Sequence, residues 1–154
     1  MKLDEWEKFM SEGKATTTKK LFSRETSVSI SIKAPPKTIW ALLTDASQYP
    51  KWNSTVVSIE GNISPRETIK LKSTLDPKRV FKLKVKEFEP NKRLAWGDAM
   101  GLRVYSLSES RGITTFTMTE KIGGPIFPLF AKMIPSFDQS FENFAKDLKK
   151  AAEK

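Results

Sequence analysis

The chain has 154 residues, the size of one ordinary domain, with 27 Lys and Arg against 18 Asp and Glu, a formal charge of +9, and neither cysteine nor histidine. These counts exclude disulfides, thiol nucleophiles, zinc-finger ligation, a Ser-His-Asp triad and any histidine-ligated metal. Carboxylates, lysines, tyrosines and hydroxyls remain, and the basic excess fits either an anionic partner or a lysine-rich solvated surface.

No stretch approaches the roughly 20 apolar residues of a membrane span. The opening Met1-Lys2-Leu3-Asp4-Glu5-Trp6 lacks the apolar core of a signal peptide, so a cytoplasmic protein is expected. Residues 1–24 read as an N-terminal extension. Leu3, Trp6, Phe9 and Met10 follow helical spacing, Gly13 ends that helix, and 14–20 is expected to be a polar, flexible linker. The remainder, 25–154, is expected to form one domain.

From Thr26 the period changes to two: Val28, Ile30 and Ile32 alternate with Ser27, Ser29, Ser31 and Lys33, the pattern of a strand with one buried face. Pro35-Pro36 stops it. Ile39, Trp40, Leu42 and Leu43 give a short helix over 37–44, and a second helical piece is expected over 45–52, broken at Pro50. Six strands follow, over 56–60, 68–74, 80–88, 93–99, 102–108 and 113–122, with turns at Gly61-Asn62, Glu89-Pro90-Asn91-Lys92, Gly101 and Arg111-Gly112. Short connections make them an antiparallel meander. Residues 123–135 are apolar and proline-rich, and 136–150 place Phe137, Phe141, Phe144, Ala145 and Leu148 on one stripe of an amphipathic helix.

A single sheet with one apolar face needs a cover, and the C-terminal helix is the large one available. The expected fold class is therefore α+β: a curved antiparallel sheet wrapped around a long C-terminal helix, with two short helices after the first strand. Such a sheet leaves a largely apolar volume beneath the helix, as small-molecule sites tend to have.

This order, together with Ile32-Lys33-Ala34-Pro35, Ile39-Trp40-Ala41-Leu42-Leu43-Thr44-Asp45, Tyr49-Pro50-Lys51-Trp52-Asn53, Arg93-Leu94-Ala95-Trp96 and Gly123-Gly124-Pro125, resembles the START/Bet v-like (SRPBCC) superfamily with its helix-grip fold. Within it the chain is most similar to the polyketide cyclase/dehydrase-type branch, over roughly residues 25–150. The resemblance implies an internal hydrophobic cavity for a lipid, polyketide-like aromatic or similar molecule. Members include carriers, sensors, enzymes and cochaperones, so the fold does not choose among them. Branches that need a histidine latch or a Rieske cluster are set aside, because their ligands are missing here.

Alternation puts Phe116, Met118, Glu120 and Ile122 on one face, Leu94, Trp96 and Asp98 on another, and Arg103, Tyr105 and Leu107 on a third. Asp98, Tyr105 and Glu120 are the candidates for moving protons, with Arg103 or Tyr105 pairing the carboxylate or holding a ligand oxygen. The expected ligand-binding set is Trp40, Trp52, Leu71, Phe81, Leu83, Trp96, Arg103, Tyr105, Phe116, Met118, Glu120, Phe127, Phe130, Met133, Phe137 and Phe141. In this set Phe127, Phe130 and Met133 belong to 123–135, which reads either as a mobile lid or as a packed connection into the last helix. No metal or cofactor is expected.

Between Arg66 and Arg93 lie ten basic and four acidic residues, and Lys70, Lys72, Lys82, Lys84 and Lys86 share the outer face of neighbouring strands. Without interleaved aromatics or a groove-reading helix, nucleic acid is not the expected partner; the lysines read either as protection for the exposed face of a twisted sheet or as a dock for an anionic membrane surface or an acidic protein. The expected function is non-catalytic binding or transport of an apolar or amphipathic small molecule. The alternatives are a cyclase- or dehydratase-like enzyme and a docking module built on the lysine face.

Overall fold

The computed structural model describes residues 12–154, so the helix expected around Leu3, Trp6, Phe9 and Met10 lies outside the described residues. Eight strands run in chain order β1 (Thr16–Lys19), β2 (Ser23–Ile32), β3 (Val56–Glu60), β4 (Thr68–Ser73), β5 (Asp76–Glu89), β6 (Arg93–Gly97), β7 (Gly101–Ser110) and β8 (Ile113–Gly123). They form one antiparallel sheet in the order β1-β2-β8-β7-β6-β5-β4-β3. Between β2 and β3 stand α1 (Pro36–Thr44), a 3-10 turn (Ala46–Gln48) and α2 (Tyr49–Trp52). After β8 come α3 (Phe127–Phe130), another 3-10 turn (Ala131–Met133) and the long α4 (Asp138–Ala152). This is the helix-grip arrangement.

The inward parity of β2 is as read: Val28, Ile30 and Ile32 are buried and continue outward to Thr26 and Arg24. Register breaks at 56/58, 71/73 and 85/87 curve β3–β6 about the core, as bulges do. The β7–β8 hairpin closes through Arg111 and Gly112, both at positive φ, which suits the tight two-residue turn between Ser110 and Ile113. On α4, Phe144 stacks on Tyr105 at 5.6 Å and on Phe116 at 6.1 Å and meets Trp52 edge-on at 5.7 Å, so one side chain ties the helix to β7, β8 and α2.

Three expectations are corrected. The linker expected over 14–20 holds β1, which pairs Thr16–Lys19 with Arg24–Ser27. Its β-branched threonines favour extended backbone, and Ala15 N donates to Glu142 Oε2 at 2.9 Å while Thr17 Oγ1 donates to Asp138, tethering the strand to α4. Pro50 does not break its helix. It occupies the first turn of α2, where a missing N–H costs nothing. The β5 strand starts at Asp76 rather than Val80, through residues exposed on both faces that carry no period-two signal.

Thr114, fully buried at the start of β8, donates its hydroxyl to Ala34 O at 2.7 Å and so fixes the exit from β2. Replacing Thr114 by Val leaves that carbonyl unpaired, and the expected loss is about 1–2 kcal/mol. Thermal melting checks this: a fall of roughly 2–8 °C for Thr114→Val.

Candidate functional site

Where the curved sheet parts from α4, a cavity of about 280 Å³ opens between β4–β8, the α3 segment and the start of α4. That is near the lower end of the ~300–1,000 Å³ usual for small-molecule pockets. Leu71, Phe81, Leu83, Trp96 and Ile122 give it an apolar wall; Phe130, Met133, Ile134, Pro135 and Phe137 form the side towards the C-terminal segment.

At the cavity lining, Arg103 and Glu120 sit directly opposite each other on β7 and β8, and Arg103 Nε donates to Glu120 Oε1 at 2.6 Å. Both side chains are only 18% exposed, so water screens the pair weakly. Burial is the largest single influence and works against the Arg103 charge, but the Glu120 carboxylate and Tyr105 together outweigh it and hold the guanidinium pKa above its ordinary value. The guanidinium also lies 5.1 Å from the centre of the Phe141 ring. Beside it, Tyr105 Oη is buried and meets no partner at hydrogen-bonding geometry. Burial pushes that phenol up to about 12, although Arg103 pulls the other way.

Arg24, on β2, does not line the cavity itself but holds the segment that does. Its Nη1 and Nη2 donate to the carbonyls of Ile134 (3.1 Å) and Pro135 (2.8 Å), and its guanidinium stands 4.8 Å over the Phe137 ring. Burial lowers its pKa, offset in part by Glu120 and Asp138. Sequence reasoning placed Arg24 in the extension and missed it. The signal was its parity with Thr26 and Val28.

Of the expected ligand-binding residues, Leu71, Phe81, Leu83, Trp96, Arg103, Glu120, Phe130, Met133 and Phe137 line the cavity. Tyr105, Phe116, Met118 and Phe141 share the same faces but lie deeper, in the packed core beneath α4. Phe127 is buried against Phe130, edge-on at 5.8 Å. Trp40 meets Phe88 edge-on at 5.1 Å, away from the cavity. Trp52 packs on Tyr49 and Phe144 and borders a separate, open depression with Ala41, Leu42 and Ala151.

Asp98 lines the cavity and also holds a turn. The β6 strand ends at Gly97, and Asp98 Oδ1 accepts the N–H groups of Met100 (2.9 Å) and Gly101 (3.0 Å), so it holds the β6–β7 turn at the cavity rim. A Cβ on Gly97 would stand 2.2 Å from Gly101 O, which is why the chain closes there only on glycine. Lining residues outside the expected set include Thr55, Ser73, Arg79, Met100 and Ser140; Ser73 shares the period-two face of Leu71 but reads as an ordinary strand residue.

Of the lysine face, Lys70 stands directly opposite Lys82 and Lys84 opposite Thr68, all three lysines exposed, while Lys72 is half-buried and Lys86 falls at the 85/87 register break. Among the described residues no helix is long and apolar enough to cross a membrane.

The model of a family described as polyketide cyclase / dehydrase and lipid transport matches residues 23–153. No curated protein sequence matches the chain. Among solved structures, a conserved protein of unknown function from Enterococcus faecalis is similar over 99% of this chain and 84% of its own, with 16% identity and a TM-score of 0.67. A START superfamily protein from Mycobacterium smegmatis is similar over 84% of this chain and 97% of its own, with 17% identity and a TM-score of 0.61. The Aha1 dimer from Colwellia psychrerythraea is similar over 84% of this chain and 96% of its own, with 23% identity and a TM-score of 0.63. At these identities the structural likeness speaks for the fold, and the family model, which spans strands, cavity and α4 alike, places the chain in the polyketide cyclase/dehydrase and lipid transport family.

Proposed function

We propose that the cavity binds an amphipathic small molecule, lipid-like or polyketide-like, without transforming it. The observation that carries this reading is the Arg103–Glu120 pair set into an otherwise largely apolar wall. The apolar body of the ligand would lie against Leu71, Phe81, Leu83 and Trp96, and its oxygen-bearing end would meet the guanidinium. Burial contributes roughly 25 cal/mol per Å² of apolar area, less the cost of ordering the ligand. Polar contacts at one end fix orientation rather than supply most of the affinity.

Binding is favoured over catalysis by how the candidate proton carriers are engaged. Asp98 is spent on a turn, Glu120 on Arg103, and a Tyr105 phenol pushed up to about 12 is a poor base near neutral pH.

Native mass spectrometry of the protein purified from its own host, with thermal shifts against fatty acids, sterols and aromatic polyketides, tests the reading. Filling the cavity by Ser140→Trp should weaken binding at least tenfold, while Asp98→Asn should keep it within a few-fold. A protein that arrives empty and responds to no member of the panel would overturn the reading. Loss of turnover with retained binding in Asp98→Asn would instead favour an enzyme.

A further inference from the structure

Five large apolar side chains stand exposed on two short segments: Leu21 (69%) and Phe22 (54%) in the β1–β2 turn, and Ile126 (56%), Leu129 (83%) and Met133 (81%) in and around α3. Single exposed apolar residues are ordinary. Here the two segments are joined. Gly124 N donates to Phe22 O at 3.1 Å, Ser23 pairs with Gly123, and Arg24 binds the carbonyls of Ile134 and Pro135. The turn is therefore fastened to both ends of the α3 segment, and the exposed side chains crown one end of the molecule.

Charge decides what such a face fits. Residues 19–25 and 121–135 contain Lys19, Lys20, Arg24, Lys121 and Lys132 against one acid, Glu25. Lys19, Lys20, Lys121 and Lys132 are exposed. A second copy of the chain docked on this face would bring like charges together. An anionic bilayer offers acyl chains to the apolar tips and headgroup phosphates to the lysines around them.

We propose that the β1–β2 turn and the α3 segment together dock the protein on an anionic membrane surface. Phe130, Met133, Ile134 and Pro135 also line the cavity, so docking brings the cavity wall to the lipid. The docking does not depend on the cavity being filled, which goes beyond the function proposed above.

Flotation of the full chain with vesicles of phosphatidylcholine alone, and of phosphatidylcholine with phosphatidylglycerol, tests it. Binding is expected to the second and to fall as salt rises. Leu129→Ser and Phe22→Ser, folded by circular dichroism, should each weaken it at least tenfold. Lys19→Ala with Lys20→Ala should weaken it roughly 25-fold, at about fivefold per lysine. Lys70→Glu with Lys82→Glu, on the outer sheet face, should cost a few-fold at most.

No binding to either vesicle would overturn the proposal. So would a loss that follows Lys70 and Lys82 instead, or a dimer in sedimentation velocity that Leu129→Ser dissolves. Native mass spectrometry reads cavity occupancy without vesicles, so failure of one proposal is separable from failure of the other.

Discussion

Glu120→Gln should lower stability by about 3 kcal/mol, since it leaves the Arg103 guanidinium weakly solvated beside a neutral amide. The 2.6 Å contact is made by two side chains only 18% exposed, so water can repay little of the lost attraction. Arg24 adds a second positive charge from β2, with Asp138 left as its acidic neighbour. For a chain of this length the shift corresponds to roughly 6–12 °C in melting temperature. The double variant Arg103→Met with Glu120→Met should recover most of the loss, because replacing both members of a buried pair removes the desolvation cost along with the attraction. Chemical denaturation of Arg103→Met, Glu120→Met and the double closes the cycle. A Glu120→Gln protein within about 0.5 kcal/mol of the parent would mean that the pair behaves as a surface pair, screened by solvent.

That pair was legible in the sequence to an unusual degree. Alternation put Glu120 on the face of Phe116 and Met118 and Arg103 on that of Tyr105, and the two-residue turn at Arg111-Gly112 sets Ser110 opposite Ile113. Counting back along both strands brings residue 103 to residue 120. Depth was not legible. Phe116 and Met118 share the face of Glu120, and Tyr105 that of Arg103, yet Phe144 of α4 stacks over Phe116 and Tyr105, and Met118 is buried in the same core, while the cavity opens farther along at Arg103 and Glu120. Period two reports a face and says nothing of what covers it.

The end of a strand was not legible either: Asp98 lies past the end of β6, where Gly97 lets the backbone close on Gly101. Arg24 was obscured by the assumption that the sheet begins at Thr26. The threonines of β1 carry little hydrophobic signal, and their place in the sheet depends on bonds to α4, more than a hundred residues away.

Stability should fall steeply above about pH 10, and both tyrosines of the chain should be responsible. Tyr49 is fully buried and donates its hydroxyl to Leu43 O at 2.7 Å, and burial, aided by Tyr105, holds its pKa well above the ordinary 10.0. Burial likewise pushes Tyr105 from 10.0 to about 12. In the unfolded chain each phenol loses its proton near pH 10, while in the folded protein it keeps it. The unfolded state then binds fewer protons, so stability falls with rising pH by about 1.4 kcal/mol per unit for each tyrosine. By about pH 11.5 the two together should cost roughly 4 kcal/mol, a large share of the 5–15 kcal/mol that ordinary domains possess.

Urea unfolding between about pH 9 and 11.5 measures the slope directly. Tyr105→Phe and Tyr49→Phe should each halve it. Tyr49→Phe should also lose about 1 kcal/mol at neutral pH, with the hydrogen bond to Leu43. Phenolate absorbance gives an independent reading: it should rise only together with loss of the native circular dichroism. A smooth titration centred near pH 10 in protein that stays folded would place both hydroxyls in contact with water and contradict the burial of Tyr49 and Tyr105 on which the aromatic core of α4 depends.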